Sequence, residues 1–231
     1  MSDFCLIRQD TDSRILGLEC FNLVRLIPQN LAAEIAALPE HSLSEARLRT
    51  SQVEETKLLL LLGFSKVCCQ VNYVMDLADP GQDPAEDPQT SLRLSQDLLT
   101  RHAANLRFSR FSLDPRLPRS TWLELHRRWV EHAMVSEKAY KFFIGENFVS
   151  FTLLADRVFV DLLSVLTPRQ GLGAALLAKA ADFGRARGLG LLEVCTESEN
   201  EGACMFYQAL GMRLEATYSI LHLHRGRDAG K

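Results

Sequence analysis

Apolar residues along the chain repeat with two periods, and the alternation of these periods predicts a chain that mixes helices and strands. A helical spacing of apolar positions predicts helices over 43–62, 91–104, 118–134, 171–187 and 202–210. Alternating or short continuous apolar runs predict strands over 22–27, 66–77, 141–144, 147–154, 157–166, 191–196 and 213–224. The predicted fold class is therefore α/β in the broad sense that includes α+β.

A segment between the predicted strand 66–77 and the predicted helix 91–104 has the composition of a linker. Residues 78–90 (ADPGQDPAEDPQT) contain three prolines, four acidic residues and almost nothing apolar. Such a segment cannot contribute to a core, and its prolines keep the chain extended. We therefore predict a small N-terminal α/β domain at 1–77 and a larger domain at 91–231. Because a unit of about 80 residues is marginally stable alone, we expect the first to dock on the second.

Composition and charge narrow the classes of function. The 231 residues are 47% hydrophobic and 24% charged, and the formal net charge of −3 comes without a basic block. Nucleic acid and anionic membranes are therefore not expected as partners. The six cysteines form no CxxC pair, so we expect reduced thiols and no zinc motif. The absence of a signal peptide and of a long apolar run predicts a soluble, cytoplasmic protein.

The strand at 157–166 leads into a loop that is typical of an anion site. Pro168 is followed by Gly171-Leu172-Gly173 and then by an alanine-rich helix. The first N–H groups of a helix have no partner within the helix, its dipole is positive at this end, and glycine lets a phosphate approach the backbone. The loop alone is equally compatible with tight packing. It is neither a dinucleotide (Rossmann) fingerprint nor a P-loop, because the third glycine and the GK[ST] signature are missing.

A second motif lies downstream of this glycine loop. It reads N-x-x-A-x-x-F-Y-x-x-L-G over 200–211 and lies between two predicted strands. Together with the glycine loop, it resembles the GNAT superfamily of acetyl-CoA-dependent N-acyltransferases over residues 91–231. The resemblance implies the GNAT fold, a mixed central sheet in which two parallel strands splay apart, here 157–166 and 191–196. It also implies acetyl-CoA as the co-substrate, without a metal.

The GNAT resemblance implies roles for particular residues. Backbone groups at the end of the strand would pair with the pantetheine arm of the cofactor: Leu163, Ser164 and Val165. Backbone N–H groups of the loop and the first helical turn would hold the pyrophosphate: Gln170, Gly171, Leu172, Gly173, Ala174 and Ala175. Asn200 would bind the pantetheine arm. Tyr207 would be the general acid and would contact the cofactor, although a tyrosine on an amphipathic helix is also compatible with a core position.

Asp161 interrupts an apolar strand and is a candidate catalytic residue. Its carboxylate could accept the proton of the attacking amine, or it could be satisfied by a neighbouring arginine. A bound water is the other candidate base.

Short motifs in both predicted domains carry a narrower resemblance. They are Asp-Ser-x-x-Leu-Gly at 12–17, Leu-Gly-Phe at 62–64, Ser-Arg-Phe at 109–111 and Asp-Pro at 114–115. They are similar to motifs of the dTDP-fucosamine acetyltransferase group, in which a small α/β domain precedes the GNAT domain. This resemblance implies acetylation of the 4-amino group of a nucleotide-linked amino sugar, a step in cell-surface polysaccharide biosynthesis. The expected substrate-binding residues are Ser109, Arg110, Phe111, His126 and Trp129, with the Arg110 guanidinium meeting substrate phosphate.

Two other functions stay open at this point. One is a GNAT N-acetyltransferase for a protein N-terminus or a small amine, and the other is a non-catalytic module that binds acyl-CoA as a sensor. His126 and Leu16 depart from the residues typical of the sugar-nucleotide enzymes, so the acceptor is less firmly indicated than the cofactor. The expected partner is a small-molecule amine, and an exposed edge of the N-terminal unit is compatible with a homodimer. His222 and His224 share a strand face without an evident third ligand, which argues against a metal site.

Overall fold

The computed structural model describes residues 5–77 and 87–226, so the predicted linker is described only from residue 87 onward. The first range contains four strands and three helices: β1 (Leu6–Arg8), α1 (Asp10–Leu16), β2 (Glu19–Leu23), α2 (Pro28–Ala37), β3 (Ser42–Arg49), α3 (Val53–Leu61) and β4 (Ser65–Asp76). The second range contains five strands and four helices: α4 (Gln96–Asn105), α5 (Arg119–Val135), β5 (Tyr140–Ile144), β6 (Asn147–Leu153), β7 (Arg157–Ser164), α6 (Leu172–Arg185), β8 (Leu191–Glu197), α7 (Glu201–Ala209) and β9 (Arg213–Arg225).

The described strands form one mixed sheet. Its order is β1-β2-β3-β9-β4-β8-β7-β6-β5, with parallel pairs at β2–β3 and β7–β8. Strand β4, which the sequence places in the N-terminal unit, lies between β9 and β8 of the larger unit. The two predicted units therefore share one sheet. The boundary at 78–90 stays a prediction, since residues 78–86 are outside the described ranges.

The parallel strands β7 and β8 separate at their carboxyl ends. Their residues pair from 157–160 with 191–194, but both strands continue beyond this register, to Ser164 and Glu197. Over these last residues, β7 still pairs with β6 and β8 still pairs with β4. The gap therefore lies between β7 and β8. The predicted pair of splayed parallel strands is confirmed.

The two halves of the sheet repeat the same order of elements. The runs β2-α2-β3-α3-β4 and β7-α6-β8-α7-β9 each contain a parallel strand pair joined by a helix, then a second helix and a long strand. The long strands are exchanged, because β4 pairs with β8 and β9 pairs with β3. The second helix starts from the same backbone geometry in both halves, at Gln52 (φ −84°, ψ 67°) and Asn200 (φ −85°, ψ 65°). The first helices differ, since α2 begins at Pro28 without a glycine loop.

Helices cover both faces of the sheet. Neighbouring residues of β6 show the two sides, because Phe148 packs with α4 and α5, whereas Val149 packs with α6. On the α6 side, Phe183 is fully buried among the aromatic residues of β5 and β6. On the other side, α5 is buried along Leu125 and Val130 and also contacts α1. The sheet is therefore the central layer, and any site on it must lie where a helix leaves it uncovered.

The structure shows that the predicted helix 43–62 is wrong over its first half. Residues 42–49 form β3, and α3 covers only Val53–Leu61. The segment SEARLR is rich in good helix formers, which is why its pattern indicates a helix. β2 and β9 flank it on both sides and take up its backbone hydrogen bonds, so sheet pairing overrides the local preference. The elements β1, α1 and α2 are not predicted by the pattern. β2 starts three residues before the predicted strand 22–27 and ends four residues before it does.

The other predicted elements are confirmed to within a few residues. The predicted helix 118–134 is α5, and the predicted strand 66–77 is β4. α4 starts five residues later than predicted, because Ser95 caps it through a hydrogen bond from the Leu98 N–H to the Ser95 hydroxyl. In the described part of the chain, no helix is long and apolar enough to cross a membrane.

Candidate functional site

A cavity of ≈ 1560 Å³ lies over the gap between β7 and β8. One end is formed by the loop before α6 and by the first turns of α7, including Gly171 and Asn200. The other end reaches Asn22 on β2 and Glu45 on β3, beyond the exchanged strands. Residues from both halves of the sheet therefore surround one space.

The loop before α6 lines this cavity. Gly171 is the N-cap of α6 and has a left-handed φ of +73°, and Arg169 also has a positive φ of +68°. Gly173 has a separate reason to be glycine, because a Cβ there would lie 3.1 Å from the Phe206 ring of α7. α6 carries no side-chain cap, so the first N–H groups of the helix stay available to an anion.

The predicted pyrophosphate residues are only partly on the cavity wall. Gly171, Leu172 and Gly173 line it, whereas Gln170, Ala174 and Ala175 do not line it with their side chains. Their proposed role concerns backbone N–H groups, which the start of α6 orders along one turn.

The end of β7 is held in place from the helix α4. Ser164 is fully buried, and its hydroxyl lies 2.8 Å from His102 Nδ1 and 3.2 Å from Asn105 Nδ2. Asn105 Nδ2 also donates to the Val165 carbonyl at 3.2 Å. Leu163 and Val165 line the cavity, so the end of β7 forms a braced edge of this cavity. His102 and Asn105 were not foreseen, since nothing in a helical sequence pattern indicates which strand end a helix supports.

Asn200 lies where β8 passes into α7. Its Oδ1 accepts a hydrogen bond from the Ala203 N–H at 3.3 Å, and its Nδ2 donates to Thr196 Oγ1 at 3.3 Å. The side chain therefore caps α7 and links it to the end of β8. It also lines the cavity, where the resemblance predicts it.

Tyr207 is buried on α7, with 7% of its surface exposed, and it lines the cavity. Its ring contacts those of Tyr73 and Phe206, at centroid distances of 5.9 and 5.3 Å. Within residues 5–77 and 87–226, its hydroxyl has no hydrogen-bond partner, so it is free to donate into the cavity. Burial raises the pKa of this phenol above its ordinary value, and the nearby thiols Cys195 and Cys204 act in the same direction.

The residues expected to bind substrate fall into two groups. Ser109, Arg110 and Trp129 line the cavity. Phe111 and His126 lie behind this wall, with exposures of 2% and 0%. His126 Nε2 lies 2.8 Å from the Ser109 hydroxyl, and burial lowers the pKa of the imidazole to about 4. Direct contact of these two residues with a substrate finds no support in this placement; they support Ser109 and Trp129.

Arg110 belongs to a buried chain of charges. Its Nε donates to Glu45 Oε2 at 2.6 Å, and His222 Nε2 lies 3.4 Å from the same oxygen. His222 Nδ1 and His224 Nε2 lie 2.8 and 2.7 Å from Asp114 Oδ2, so Asp114 is the partner that the two histidines lacked in the sequence. These distances are those of hydrogen bonds between a carboxylate and imidazoles. Burial alone would raise the pKa of Glu45, but Arg110 and His222 hold it at about 2.

Glu197 is a site residue that the sequence analysis missed. It is the last residue of β8, is 7% exposed and lines the cavity. Burial raises the pKa of its carboxyl to about 7, although the charge of Arg110 opposes the shift. The signal was present in the sequence, because an acidic residue ends an apolar strand three residues before Asn200.

Asp161 also lines the cavity, from β7, and it is more exposed than Glu197. Its Oδ2 accepts a hydrogen bond from the Thr152 hydroxyl at 2.9 Å. Burial raises the pKa of this carboxyl, while the Thr152 hydrogen bond and the charge of Lys141 oppose the shift. Its partner is thus a hydroxyl group and not the arginine that one interpretation of the sequence expected.

The comparisons with known proteins agree with this geometry. Residues 157–212, which run from β7 to the residue before β9, match the family model of the Acetyltransferase (GNAT) family. Among curated proteins, no sequence match was found. The matched quarter of the chain contains the strand gap, the glycine loop, Asn200 and Tyr207.

Solved structures extend the likeness to the whole fold. A GCN5-related N-acetyltransferase from Sphaerobacter thermophilus aligns with a TM-score of 0.57 and 15% identity, over 98% of this chain and 77% of that one. A GCN5-related N-acetyltransferase from Kribbella flavida aligns with a TM-score of 0.56 and 17% identity, over 100% and 89%. A functionally unknown conserved protein from Staphylococcus epidermidis aligns with a TM-score of 0.58 and 11% identity, over 97% and 93%.

These findings confirm the predicted fold class, and the similarity to the GNAT family model lies in residues 157–212. At such low identity the structural likeness concerns the fold alone. The acceptor and the narrower resemblance to the dTDP-fucosamine group are matters for proposal.

Proposed function

We propose that this protein is an acetyl-CoA-dependent N-acetyltransferase that transfers the acetyl group directly to an amine. The observation that carries the proposal is the gap between β7 and β8, which has the free start of α6 at one end and the Tyr207 hydroxyl beside it. A cofactor with a diphosphate at one end and a thioester at the other fits such an arrangement. The proposal assigns the N–H groups of 170–175 to the diphosphate, and Leu163, Val165 and Asn200 to the pantetheine arm.

The chemistry needs one group that accepts a proton and one that donates a proton. The amine nitrogen attacks the thioester carbonyl carbon, the carbon–sulfur bond breaks, and its electron pair leaves with the sulfur. We assign the proton of the departing thiolate to Tyr207. Burial makes the phenol a weaker acid, but a thiolate formed in the same dry site is a stronger base, which offsets much of the mismatch.

We assign the proton of the amine to Glu197. A general base is most effective when its pKa lies near the working pH, and burial brings the pKa of Glu197 to about 7. Asp161 is the second candidate, as the sequence indicates, since it also faces the cavity. The two carboxylates lie on the two strands that separate, so either could face the amine.

As acceptor we propose the 4-amino group of a nucleotide-linked amino sugar. Support comes from the extent of the cavity, which continues past the strand gap to residues of β2 and β3. Trp129 on its wall offers an aromatic surface to a sugar. The Arg110 guanidinium remains a candidate contact for phosphate, although its Nε is already bonded to Glu45.

An acetyl-CoA thiol-release assay tests the proposal. The acceptors are dTDP- and UDP-linked 4-amino sugars, together with a peptide with a free N-terminus and a polyamine. Turnover with a nucleotide sugar is the expected result. Turnover only with the peptide or the polyamine would overturn the proposed acceptor. Binding of acetyl-CoA without turnover on any amine would favour the acyl-CoA-binding sensor module and overturn the proposed N-acetyltransferase activity.

A further inference from the structure

Arg47 places a second guanidinium in the cavity, away from the Ser-Arg-Phe loop. It lies on β3 and lines the cavity floor. Unlike Arg110, it has no carboxylate within salt-bridge distance in the described ranges. An arginine that lines a cavity and has no counter-ion can bind an anion there.

The Arg47 side chain is held in position. Its guanidinium carbon lies 3.9 Å from the centre of the Tyr218 ring on β9. Its Nη2 donates to Asn72 Oδ1 on β4 at 3.3 Å, and Asn72 is 7% exposed. Stacking against a ring and a hydrogen bond together fix the plane of the guanidinium, which is the condition for binding an oxyanion with two parallel hydrogen bonds.

Asn72 is in turn oriented by the neighbouring strands. Its Nδ2 donates to Glu193 Oε1 on β8 at 2.5 Å, and Arg157 Nη1 on β7 donates to Glu193 Oε2 at 2.7 Å. The amide oxygen of Asn72 must therefore face Arg47. Five strands contribute to one chain of contacts that ends at the Arg47 guanidinium.

The charges around Arg47 are already matched elsewhere. Glu193 is paired with Arg157, and Glu45 is paired with Arg110. Among the described residues no carboxylate forms an ion pair with Arg47, although Glu197 lines the same cavity. In the described part of the protein, only Nη2 of its guanidinium has a hydrogen-bond partner, so the other donors are available.

We propose that Arg47 binds a phosphate group of the acceptor substrate. The inference rests on the proposed function and makes it more specific, because it replaces Arg110 by Arg47 as the main phosphate contact. Asn72 pairs with Cys195 of β8, so the guanidinium at Asn72 lies about one strand spacing from β8 and about two from β7. At roughly 5 Å per spacing, an amine in the gap between β8 and β7 would lie about 5–10 Å from the Arg47 guanidinium. A sugar that carries its amine and its phosphate on opposite sides of the ring has this span, whereas the carboxylate of an α-amino acid is too close to its amine.

The test is titration calorimetry with dTDP, for the free protein and for protein saturated with CoA so that the cofactor's own phosphate site is filled. We expect Arg47→Gln to weaken dTDP binding at least tenfold, and Arg47→Lys to weaken it less. Arg49→Gln is the matched control, since Arg49 also approaches Tyr218, at 5.6 Å, but does not line the cavity. It should bind dTDP within twofold of the unaltered protein. Thermal unfolding and CoA affinity should be unchanged in all three variants.

This experiment separates failure of the Arg47 assignment from failure of the proposed acetyltransferase function. Unaltered dTDP affinity in Arg47→Gln would overturn the Arg47 assignment, whether or not the protein binds CoA. A protein that binds dTDP through Arg47 but does not bind CoA would support the assignment and overturn the proposed transferase. Binding of glutarate, without any binding of dTDP, would show a site for carboxylates and overturn the assignment to phosphate.

With an active nucleotide sugar in hand, Arg47→Gln should raise KM with little change in kcat, because Arg47 acts at a distance from the reacting atoms. An equal loss in kcat at saturating acceptor would contradict a binding role.

Discussion

At the residue scale, the two groups assigned to proton transfer lie on opposite sides of the sheet. Tyr207 packs with the core under α6, whereas Glu197 faces Arg110, which lies in the loop that precedes α5. Both residues line the cavity over the gap between β7 and β8, and the proposed mechanism places the reacting atoms in this gap. The Tyr207 phenol and the Glu197 carboxyl do not act as partners of each other. The pKa of each is therefore set by its own surroundings.

The phenol is tested by Tyr207→Phe. This change removes a single oxygen and keeps the ring that packs with Phe206 and Tyr73. We expect kcat to fall by roughly 10²-fold or more, as for loss of a general acid, while CoA affinity is nearly kept. Steady-state kinetics and CoA titration measure the two quantities. Unchanged turnover would remove Tyr207 from the mechanism.

The base is tested by the pH dependence of Glu197→Gln. The carboxyl acts as a base only when it is ionised, and burial raises its pKa to about 7. For the unaltered enzyme, kcat/KM should therefore rise about tenfold per pH unit below 7 and level off above it. In Glu197→Gln this limb should disappear and kcat should be low throughout.

Asp161→Asn is the matched comparison for Glu197→Gln, because Asp161 also faces the cavity. It should keep the limb near pH 7. If instead Asp161→Asn abolishes the limb and Glu197→Gln keeps it, the base is Asp161.

At the element scale, the parts of the site that were predictable are those specified by neighbouring residues. The loop at 170–175, Asn200 and Tyr207 belong to one strand–helix–strand–helix run, in which short-range geometry places them. Glu45 and Arg47 were not predictable, since their segment was interpreted as a helix. Their position opposite β9 depends on a strand register between distant parts of the chain, and no local pattern specifies it. Glu197 was within reach of sequence reasoning, but its burial was not.

The packing of α6 on β7 depends on Gly184. A Cβ at this position would lie 2.3 Å from Val158 Cγ2 and 3.2 Å from Leu77 Cδ1. Valine has little freedom to move aside, so Gly184→Ala should reduce the free energy of unfolding by about 1–3 kcal/mol. Urea denaturation followed by circular dichroism measures the change.

Gly202→Ala in α7 provides the control for Gly184→Ala. Nothing lies within 4 Å of a Cβ at Gly202, so alanine there should leave stability unchanged or raise it by about 0.4–1 kcal/mol. Equal effects at the two positions would contradict the close approach of α6 to β7.

At the scale of the whole molecule, the cavity floor is built by both halves of the sheet, and neither half contains a complete set of strands. A chain of residues 91–231 lacks β4, which lies between β8 and β9. We expect this fragment to show no cooperative thermal transition by circular dichroism. A chain that starts at residue 5 keeps every described strand and should unfold cooperatively. Native-like unfolding of the 91–231 fragment would show that the larger unit folds alone.

The exchange of β4 and β9 also has a consequence during synthesis. Ser42 on β3 pairs with Arg225 on β9, a separation of 183 residues (225 − 42). At about 5–20 residues per second, a ribosome needs roughly 10–40 s to make the intervening chain. Throughout that interval β3 has an open edge that could recruit strands from other nascent chains. Final assembly must therefore wait for the last strand, and slow folding is the expected result of this topology.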